Sequence, residues 1–148
     1  MSTITLAQAN IITAAALKKG RAMTFAPLTV VVLDPGGHSV ALQREDHSGI
    51  LRVEIATGKA YGALGMGVGS RALFERTQTA PLFLSAAMAA SGGRFVPVPS
   101  GVLIRDASGA LLGAVGISGD TSDNDEVCAV AGIEAAGLVA QVGKALSP

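Results

Sequence analysis

The stretch 28–45, LTVVVLDPGGHSVALQRE, decides the fold of this chain. Its first part is a continuous run of β-branched and apolar residues, which is typical of a buried strand. Turn residues follow at 34–37, where Asp-Pro-Gly-Gly interrupts the run. Residues 39–45 then alternate between apolar and polar side chains. The sequence therefore predicts a β-hairpin around the turn at 34–37.

The rest of the chain predicts helices around one further hairpin. Helical spacing and turn residues predict the following elements: a helix at 5–19 with Thr3 or Thr5 as N-cap, a helix at 50–64, a short helix opened by a Ser70 cap, a helix begun at Pro81, a second hairpin within 94–119, and a long closing helix at 120–146 with Ser122 or Asp123 as N-cap. Hairpins with segregated helices favour an antiparallel sheet over a parallel one. We therefore expect one α+β domain over 1–148.

Composition excludes several classes of partner. The chain has 148 residues, 49% of them hydrophobic, and a formal net charge of zero, so it can bury a core but lacks the basic surface that nucleic acid requires. No apolar run approaches the roughly 18 residues of a membrane-spanning helix, so a membrane partner is not expected. The first residues lack the basic and then apolar pattern of a signal peptide, which predicts a cytoplasmic location.

Small residues dominate the apolar part of the sequence. Cys128 is the single cysteine, which excludes an intramolecular disulfide and a multi-cysteine metal site, and it is expected to be a buried helix residue. The apolar residues are mainly Ala, Val, Leu and Gly, with few aromatics, and small side chains such as those of Ala and Gly bury little area each. A single subunit therefore has a limited core, which favours a homo-oligomer.

The hairpin and its outgoing strand also contain the polar residues that are candidates for a metal or ligand site. His38, His47, Asp34 and Asp46 are chemically suitable ligands for zinc or iron, although their spacing matches no known ligand pattern. Arg44 and Asp46 are two residues apart, so on a strand they would share one face. That pair could hold a small carboxylate or could be an ordinary surface ion pair.

Lys59 interrupts the apolar face of the helix predicted at 50–64. Its stem could carry the ammonium out to water. If the ammonium points inward instead, it needs an acidic partner, and Asp46, Glu54 and the acids at 123–126 are available. Ser118 follows a predicted strand and precedes a predicted helix, so its topology leaves a nucleophile open.

Three ordered stretches carry a resemblance to a known family: VVVLDPGGHSVALQREDHSGILRVEIATGKAYGA at 30–63, PSGVLIRDASGALLGAVGISGDTSDNDE at 99–126, and the closing Ala-rich helix. The chain resembles the GlcG/HbpS-like family, which includes the C-terminal domain of PduO-type proteins. The positions that match the family pattern are Asp34, Gly37, Arg44, Asp46, Lys59, Ala60, Gly101, Gly113, Gly116, Ser118, Gly119 and Asp125. The family's Gly-Val-Pro-Ile element is replaced here by Gly-Val-Leu-Ile at 101–104.

The resemblance implies a profilin-like sandwich in which helices flank an antiparallel five-stranded sheet, assembled into dimers or larger rings. It also implies haem binding in some members, whereas others accompany small-molecule catabolic operons. In the PduO-type branch a histidine on the first helix binds the iron, but residues 5–23 contain none. His38, His47, Met23 and Met66 are chemically able to replace it.

Three functions follow as hypotheses. The first is a haem- or tetrapyrrole-binding protein for haem handling or redox sensing, in which Arg44 or Lys59 meets a propionate and His38 lies beside the cofactor. The second is a catabolic enzyme acting on an oxo- or hydroxy-acid or a ring-cleavage product. There Arg44 would fix a carboxylate, Asp46 or His38 would carry a proton and Lys59 would stabilise charge. The third is a structural or regulatory oligomer.

Overall fold

The computed structural model describes residues 2–145, and within them the chain forms one five-stranded antiparallel sheet with helices on both faces. In chain order the elements are α1 (Leu6–Ala22), β1 (Thr29–Leu33), β2 (Ser39–Arg44), α2 (Arg52–Met66), α3 (Ser70–Arg76), α4 (Pro81–Ala90), β3 (Gly101–Arg105), β4 (Leu111–Ser118), α5 (Ser122–Ala135) and β5 (Val139–Gln141). The strand order across the sheet is β2-β1-β4-β3-β5. The predicted α+β class with five antiparallel strands is confirmed.

Strand β1 explains why the opening stretch is so apolar. Its five residues are all buried, because it lies between β2 and β4 and is covered by helices on both faces. The predicted hairpin joins it to β2, with Thr29 opposite Arg44. Gly37 in the turn has a φ of 83°, a left-handed conformation that glycine adopts without steric cost.

The core has two layers, one on each face of the sheet. The first layer packs α1 and α5 against β-branched residues such as Val30, Val32 and Ile117. The second packs the alanines of α2 against Val31, Leu33 and Leu103. A separate small cluster of Leu73, Leu84 and Phe95 joins α3, α4 and the segment that follows α4.

Two paired glycines let α2 lie directly on the sheet backbone. Gly101 of β3 and Gly116 of β4 are opposite each other in the ladder. A Cβ at Gly116 would lie 1.8 Å from the Ala56 carbonyl oxygen, and one at Gly101 would lie 2.1 Å from the Lys59 carbonyl oxygen. Because only glycine permits this approach, the two positions set the height of α2 above the sheet.

The closing helix is shorter than its sequence predicts. It ends at Ala135, and the chain then forms β5, which pairs with β3. Gly137 has a φ of 73°, and the amides of Gly137 and Leu138 donate to the carbonyls of Glu134 and Ile133. This is a Schellman motif, which stops a helix even where apolar residues continue. The predicted helix at 120–146 was therefore wrong beyond 135, and Leu146 lies outside the described residues.

Two predicted helix caps were also wrong. Gly69 precedes α3, while the Ser70 hydroxyl donates to the Val98 carbonyl and accepts from the Gly101 amide, both at 2.6 Å. Ser70 therefore ties α3 to β3 instead of capping its own helix. Thr121 caps α5 by accepting from the Asn124 amide at 3.2 Å, in place of Ser122 or Asp123.

The first helix begins as predicted. Thr5 is its N-cap and forms a capping box with Gln8, an arrangement that satisfies two amides left free at a helix start. Across residues 2–145, no helix is both long enough and apolar enough to cross a membrane.

Candidate functional site

His38 and Arg44 lie at opposite ends of β2. His38 follows the turn, with 81% of its side chain exposed and its Nδ1 3.3 Å from Asp34 Oδ1. The hydrogen bond from the His38 amide is the main cause that lowers the pKa of Asp34. Arg44 ends the strand, about 20 Å away at roughly 3.3 Å per residue. The two predicted site residues therefore do not share one binding site.

Arg44 and Asp46 do share a polar cavity. It has a volume of about 480 Å³ and is lined by Arg21, Pro27, Arg44, Glu45, Asp46 and His47. Its arginines already have protein partners, because Arg44 Nη1 donates to the Ser48 carbonyl at 2.8 Å and Arg21 Nε lies 2.9 Å from Glu45 Oε2. Asp46 follows the end of β2 rather than lying in it, so a turn brings the pair together.

Lys59 points into the protein. Its side chain is 3% exposed, and its Nζ lies 3.3 Å from Asp125 Oδ2. The same nitrogen donates to the Ile117 carbonyl at 2.8 Å and to Ser100 Oγ at 3.1 Å. Of the alternatives that the sequence left open, the inward orientation with an acid of the 123–126 group is the one observed.

This buried pair is shielded from any ligand. Burial lowers the pKa of Lys59 and raises the pKa of Asp125, since both lose water as a partner. All three ammonium hydrogens of Lys59 have acceptors, which leaves no donor for a substrate. Ser118 is similarly enclosed, because it is fully buried and accepts from Arg52 Nη1 at 3.0 Å.

The acids and histidines of the hairpin do not form a metal centre. Over the described range 2–145, no three His, Cys, Asp or Glu side chains converge on a point that could hold a metal ion. Asp34 and His38 lie at the turn, whereas Asp46 and His47 follow the far end of β2.

An apolar cleft between α2 and α4 is the site that the sequence did not reveal. We call it the α2–α4 cleft, and its volume is about 430 Å³, within the range of small-molecule sites. It is lined by Tyr61, Gly62, Gly65, Met66, Phe83, Ala86, Ala87, Ala90, Ser91 and Phe95. A smaller cavity of about 140 Å³, lined by Pro35, Gly36, Gly37, Tyr61, Leu64 and Gly65, adjoins it. The two cavities meet at Tyr61 and Gly65.

Gly65 keeps the α2–α4 cleft open. A Cβ built at this position would have no heavy atom within 4 Å, so the missing side chain leaves free space beside the helix. The space beside Gly62, one turn earlier, is occupied by the Phe95 ring, which would lie 2.8 Å from a Cβ built at that position. A flat ligand can therefore approach the α2 backbone at Gly65.

Two arginines stand beside the aromatic residues of the cleft. The Arg94 guanidinium lies 4.3 Å from the centre of the Tyr61 ring, and that of Arg76 lies 5.0 Å from the centre of the Phe83 ring. Both arginines are exposed, and they lie beside the lining residues without lining the cleft themselves. The cleft thus combines an apolar interior with cations at its margin, which suits a flat apolar molecule that carries anionic groups.

Aromatic residues were the signal that could have revealed this cleft. The chain has four phenylalanines and one tyrosine, and the cleft uses Tyr61, Phe83 and Phe95. Periodicity treats each helix separately, so it cannot show that α2 and α4 face each other. Met66, considered from the sequence as an iron ligand, lies in this cleft. His38 does not line either cavity, but its ring lies beside Gly36, which lines the smaller one.

Comparison with known proteins gives matches along most of the chain. A family model described as the haem degrading protein HbpS-like family matches residues 4–134. A protein of Citrobacter freundii is 27% identical over 129 residues, which cover 87% of this chain and 89% of that protein. It is described as an uncharacterized 15.0 kDa protein in the dhaT-dhaS intergenic region.

Solved structures share the same architecture. A PduOC complex with haem has a TM-score of 0.83 at 22% identity, covering 96% of this chain and 99% of that one. The Klebsiella pneumoniae protein ORFY has a TM-score of 0.80 at 27% identity, covering 93% and 92%. HbpS has a TM-score of 0.76 at 24% identity, covering 90% of each chain. At such identities the likeness to PduOC and HbpS shows a shared fold.

Proposed function

Since this chain belongs to the HbpS-like family, we propose that it binds haem or a related tetrapyrrole in the α2–α4 cleft. The observation that carries the proposal is the cleft itself, an apolar space of about 430 Å³ with aromatic walls and two arginines beside them. The likeness in fold to a PduOC structure with bound haem supports the same ligand class. It does not support the same place, because the iron-binding histidine of the PduO-type branch lies on the first helix and α1 packs on the other face of the sheet from α2.

The residues of the cleft fit such a ligand. Phe83 and Phe95 offer apolar surface to a flat ring, and the open space at Gly65 admits it beside the helix. Arg94 and Arg76 can each pair with a carboxylate. Haem would supply redox-active iron. In this proposal Arg94 and Arg76 replace the two propionate partners that the sequence predicted. Arg44 lines a different cavity, and Lys59 has no free donor.

We further propose haem handling rather than redox sensing as the role. The cleft opens to solvent between α2 and α4, and the arginines beside it are exposed, so a ligand can enter and leave from the surface. Uptake and release are what a carrier or processing protein requires. A fast dissociation rate of haemin, measured by transfer to apomyoglobin, would agree with this role, and retention over hours would contradict it.

A haemin titration of the wild type and Gly65→Leu tests the site. The wild type is expected to show a saturable Soret shift near one ring per subunit. Leucine at 65 fills the cleft, so the dissociation constant should rise at least about tenfold, the equivalent of about 1.4 kcal/mol. The change also removes a helical glycine, so folding should not suffer.

Glu54→Leu is the matched control, because it adds the same side chain to an exposed position of α2 outside the cleft. This variant should bind haemin like the wild type. Non-saturable binding by the wild type, or equal affinity in Gly65→Leu, would contradict the proposed site. Urea unfolding of each variant shows whether a lost signal reflects lost structure.

A second candidate function is an enzyme that uses the polar cavity at the end of β2. Arg44, Asp46 and His47 line one space of about 480 Å³, and in the described part of the chain no protein group donates a hydrogen bond to the Asp46 carboxylate. A small oxo- or hydroxy-acid could pair with Arg44 while Asp46 accepts a proton. Arg44→Ala and Asp46→Ala should then abolish turnover without unfolding the protein. Rates like those of the wild type in both variants would refute it.

We also propose that the chain forms a homo-oligomer. Ile50 is 94% exposed and Leu51 is 63% exposed, side by side before α2, where a partner subunit would cover them. Light scattering should give a mass above that of one chain. Ile50→Ser with Leu51→Ser should lower that mass, and a monomeric wild type would contradict the proposal.

A further inference from the structure

We infer that two copies of this chain pair through the outer edges of their β2 strands, which joins two five-stranded sheets into one continuous sheet. The inference rests on the proposed homo-oligomer and adds to it the surface and the symmetry of the contact. It starts from the strand order β2-β1-β4-β3-β5, in which β2 is an outermost strand. An outermost strand presents backbone N–H and C=O groups that no neighbouring strand satisfies.

The hydrogen bonds between β1 and β2 show which groups of β2 point outward. The Glu45 amide donates to the Leu28 carbonyl at 2.9 Å. In an antiparallel pair, hydrogen-bonded and non-hydrogen-bonded residues alternate along each strand. The amides and carbonyls of Leu42 and Arg44 therefore point away from β1. The pairing is regular in this part of β2, because the register shifts only at the other end, beside Leu33.

These two residues fit a second copy of the same strand. A two-fold axis beside Gln43 places Leu42 opposite Arg44 of the partner subunit, so each outward amide of this segment meets an outward carbonyl. Residues 39–43 contain no charged side chain, so no like charges lie directly opposite each other. The Arg44 guanidinium is held by its own loop, since Nη1 donates to the Ser48 carbonyl at 2.8 Å.

The other edge of the sheet offers a poorer match. Strand β5 has three residues, whereas β2 has six. Pairing β2 of one copy with β5 of the next would also repeat without closing and would lead to open chains of subunits. Pairing β2 with β2 closes as a dimer, which favours this arrangement.

Helix α1 adds a contact that an extended peptide on the same edge would lack. It packs against both β1 and β2, on the face of the sheet away from α2. Because neighbouring strands are about 4.8 Å apart, an axis between the two β2 strands would place the two α1 helices about 10 Å apart, a distance at which helices pack. With its 17 residues, α1 is about 25 Å long. We therefore assign a second copy as the occupant of this edge.

The pairing brings together residues that one chain keeps apart. Antiparallel strands place the start of one β2 beside the end of the other. His38, whose side chain is 81% exposed, then comes to the end of β2 in the partner, where Arg44 and Asp46 line the polar cavity. Both subunits would therefore border this cavity.

Cysteine cross-linking tests the position of the axis. In Gln43→Cys the two introduced residues face each other as a non-hydrogen-bonded pair with Cα atoms about 4.5 Å apart, within the range of about 4.4–6.8 Å for a disulfide. Val139→Cys is the matched control, because Val139 is likewise exposed but lies on β5. The native Cys128 is buried and does not compete. Under mild oxidation, Gln43→Cys should form covalent dimers at least about tenfold faster than Val139→Cys, since its thiols meet within one complex.

Substitutions at the edge test the strand pairing itself. Leu42→Pro removes an outward amide without removing a hydrogen bond to β1, whereas Leu42→Ala keeps that amide. Light scattering near the dissociation constant of the wild type should show a lower mass for Leu42→Pro than for Leu42→Ala, and urea unfolding should show that both variants are folded. Gln43→Lys and Gln43→Glu should each lower the mass, because like charges then face each other, and mixing the two variants should restore it.

The outcomes separate the inference from the proposed homo-oligomer. A monomeric wild type contradicts both. If the wild type is oligomeric but Gln43→Cys cross-links no faster than Val139→Cys, pairing through β2 is overturned while the homo-oligomer stands. The same holds if Leu42→Pro keeps the mass of the wild type, if Leu42→Ala loses as much mass as Leu42→Pro, or if the mixed charge variants do not assemble.

Discussion

Replacing Lys59 with methionine tests whether the buried ion pair is a structural element. Methionine keeps an unbranched apolar stem but removes the ammonium, leaving Asp125 buried without its cation. Breaking one side of such a pair typically costs about 3–5 kcal/mol. For a chain of this size, 1 kcal/mol corresponds to about 2–4 °C. Lys59→Met is therefore expected to lower the melting temperature by about 6–20 °C.

The double variant should recover much of this loss. In Asp125→Asn the Oδ1 atom can still accept from the Asp120 amide, a bond of 2.9 Å in the wild type. Ser100 Oγ donates to the Ile117 carbonyl at 2.6 Å, so these two of the three former acceptors of Lys59 remain hydrogen-bonded to each other. Because no buried charge remains, Lys59→Met with Asp125→Asn should unfold within about 2 kcal/mol of the wild type.

The pH dependence of Lys59→Met has a definite sign. Burial raises the pKa of Asp125 above its ordinary value of 3.8, and loss of the Lys59 charge removes the main opposing effect. Between the unfolded-state and the folded-state pKa, such a carboxyl is protonated in the folded protein but ionised in the unfolded protein. Stability therefore falls as pH rises from about 3.8 to the folded-state pKa, by up to about 1.4 kcal/mol per pH unit, and is then constant. The penalty of Lys59→Met should be largest at neutral pH and smaller in acid.

Urea unfolding of the wild type, both single variants and the double variant at pH 7 and pH 5 measures these quantities. The coupling energy is the difference between the double variant and the sum of the single variants. Additive losses, or a Lys59→Met penalty that does not shrink at pH 5, would refute the account of Lys59 and Asp125 as one buried unit.

Three further predictions concern packing, reactivity and capping. Gly116→Ala places a Cβ 1.8 Å from the Ala56 carbonyl oxygen, so thermal melting should show a loss of stability of at least about 2 kcal/mol; an unchanged melting temperature would contradict the close contact. Burial raises the pKa of the Cys128 thiol to about 11, so at pH 8 a disulfide reagent should react at least about a hundredfold more slowly with the folded than with the urea-unfolded protein; equal rates would contradict its burial. Thr121→Ala should cost about 1 kcal/mol in urea unfolding, because it removes the cap of α5, whereas Ser122→Ala should cost much less; the reverse order would contradict the assigned cap.

Most of the fold could be predicted from local sequence signals. The β-branched run of β1, the turn at 34–37 and the alternation of β2 together specify the hairpin, and Pro81 specifies the start of α4. Strand β5 could not be found in this way, because it has three residues and follows a helix without a polar break. The single signal is Gly137, which local periodicity does not distinguish from the other glycines of a small-residue helix.

The candidate site was less accessible to the same reasoning. The orientation of Lys59 stayed open because Asp125, its partner, is 66 residues away in the sequence. The separation of His38 from Arg44, by contrast, follows from the length of β2 alone. The α2–α4 cleft depends on how two helices face each other, and only tertiary structure brings Tyr61 and Phe83 to one surface.

The two walls of the cleft are anchored very differently. Helix α2 is locked onto the sheet through the contact of its carbonyls with Gly101 and Gly116, whereas Leu84 is the one buried residue of α4. We therefore expect amides of α4 to exchange with deuterium well before those of α2. Ligand entry would then proceed by local opening of α4 against a fixed α2. On that basis the rates of uptake and release depend on the local stability of one helix, and substitutions on its outer face can change both rates without touching the ligand.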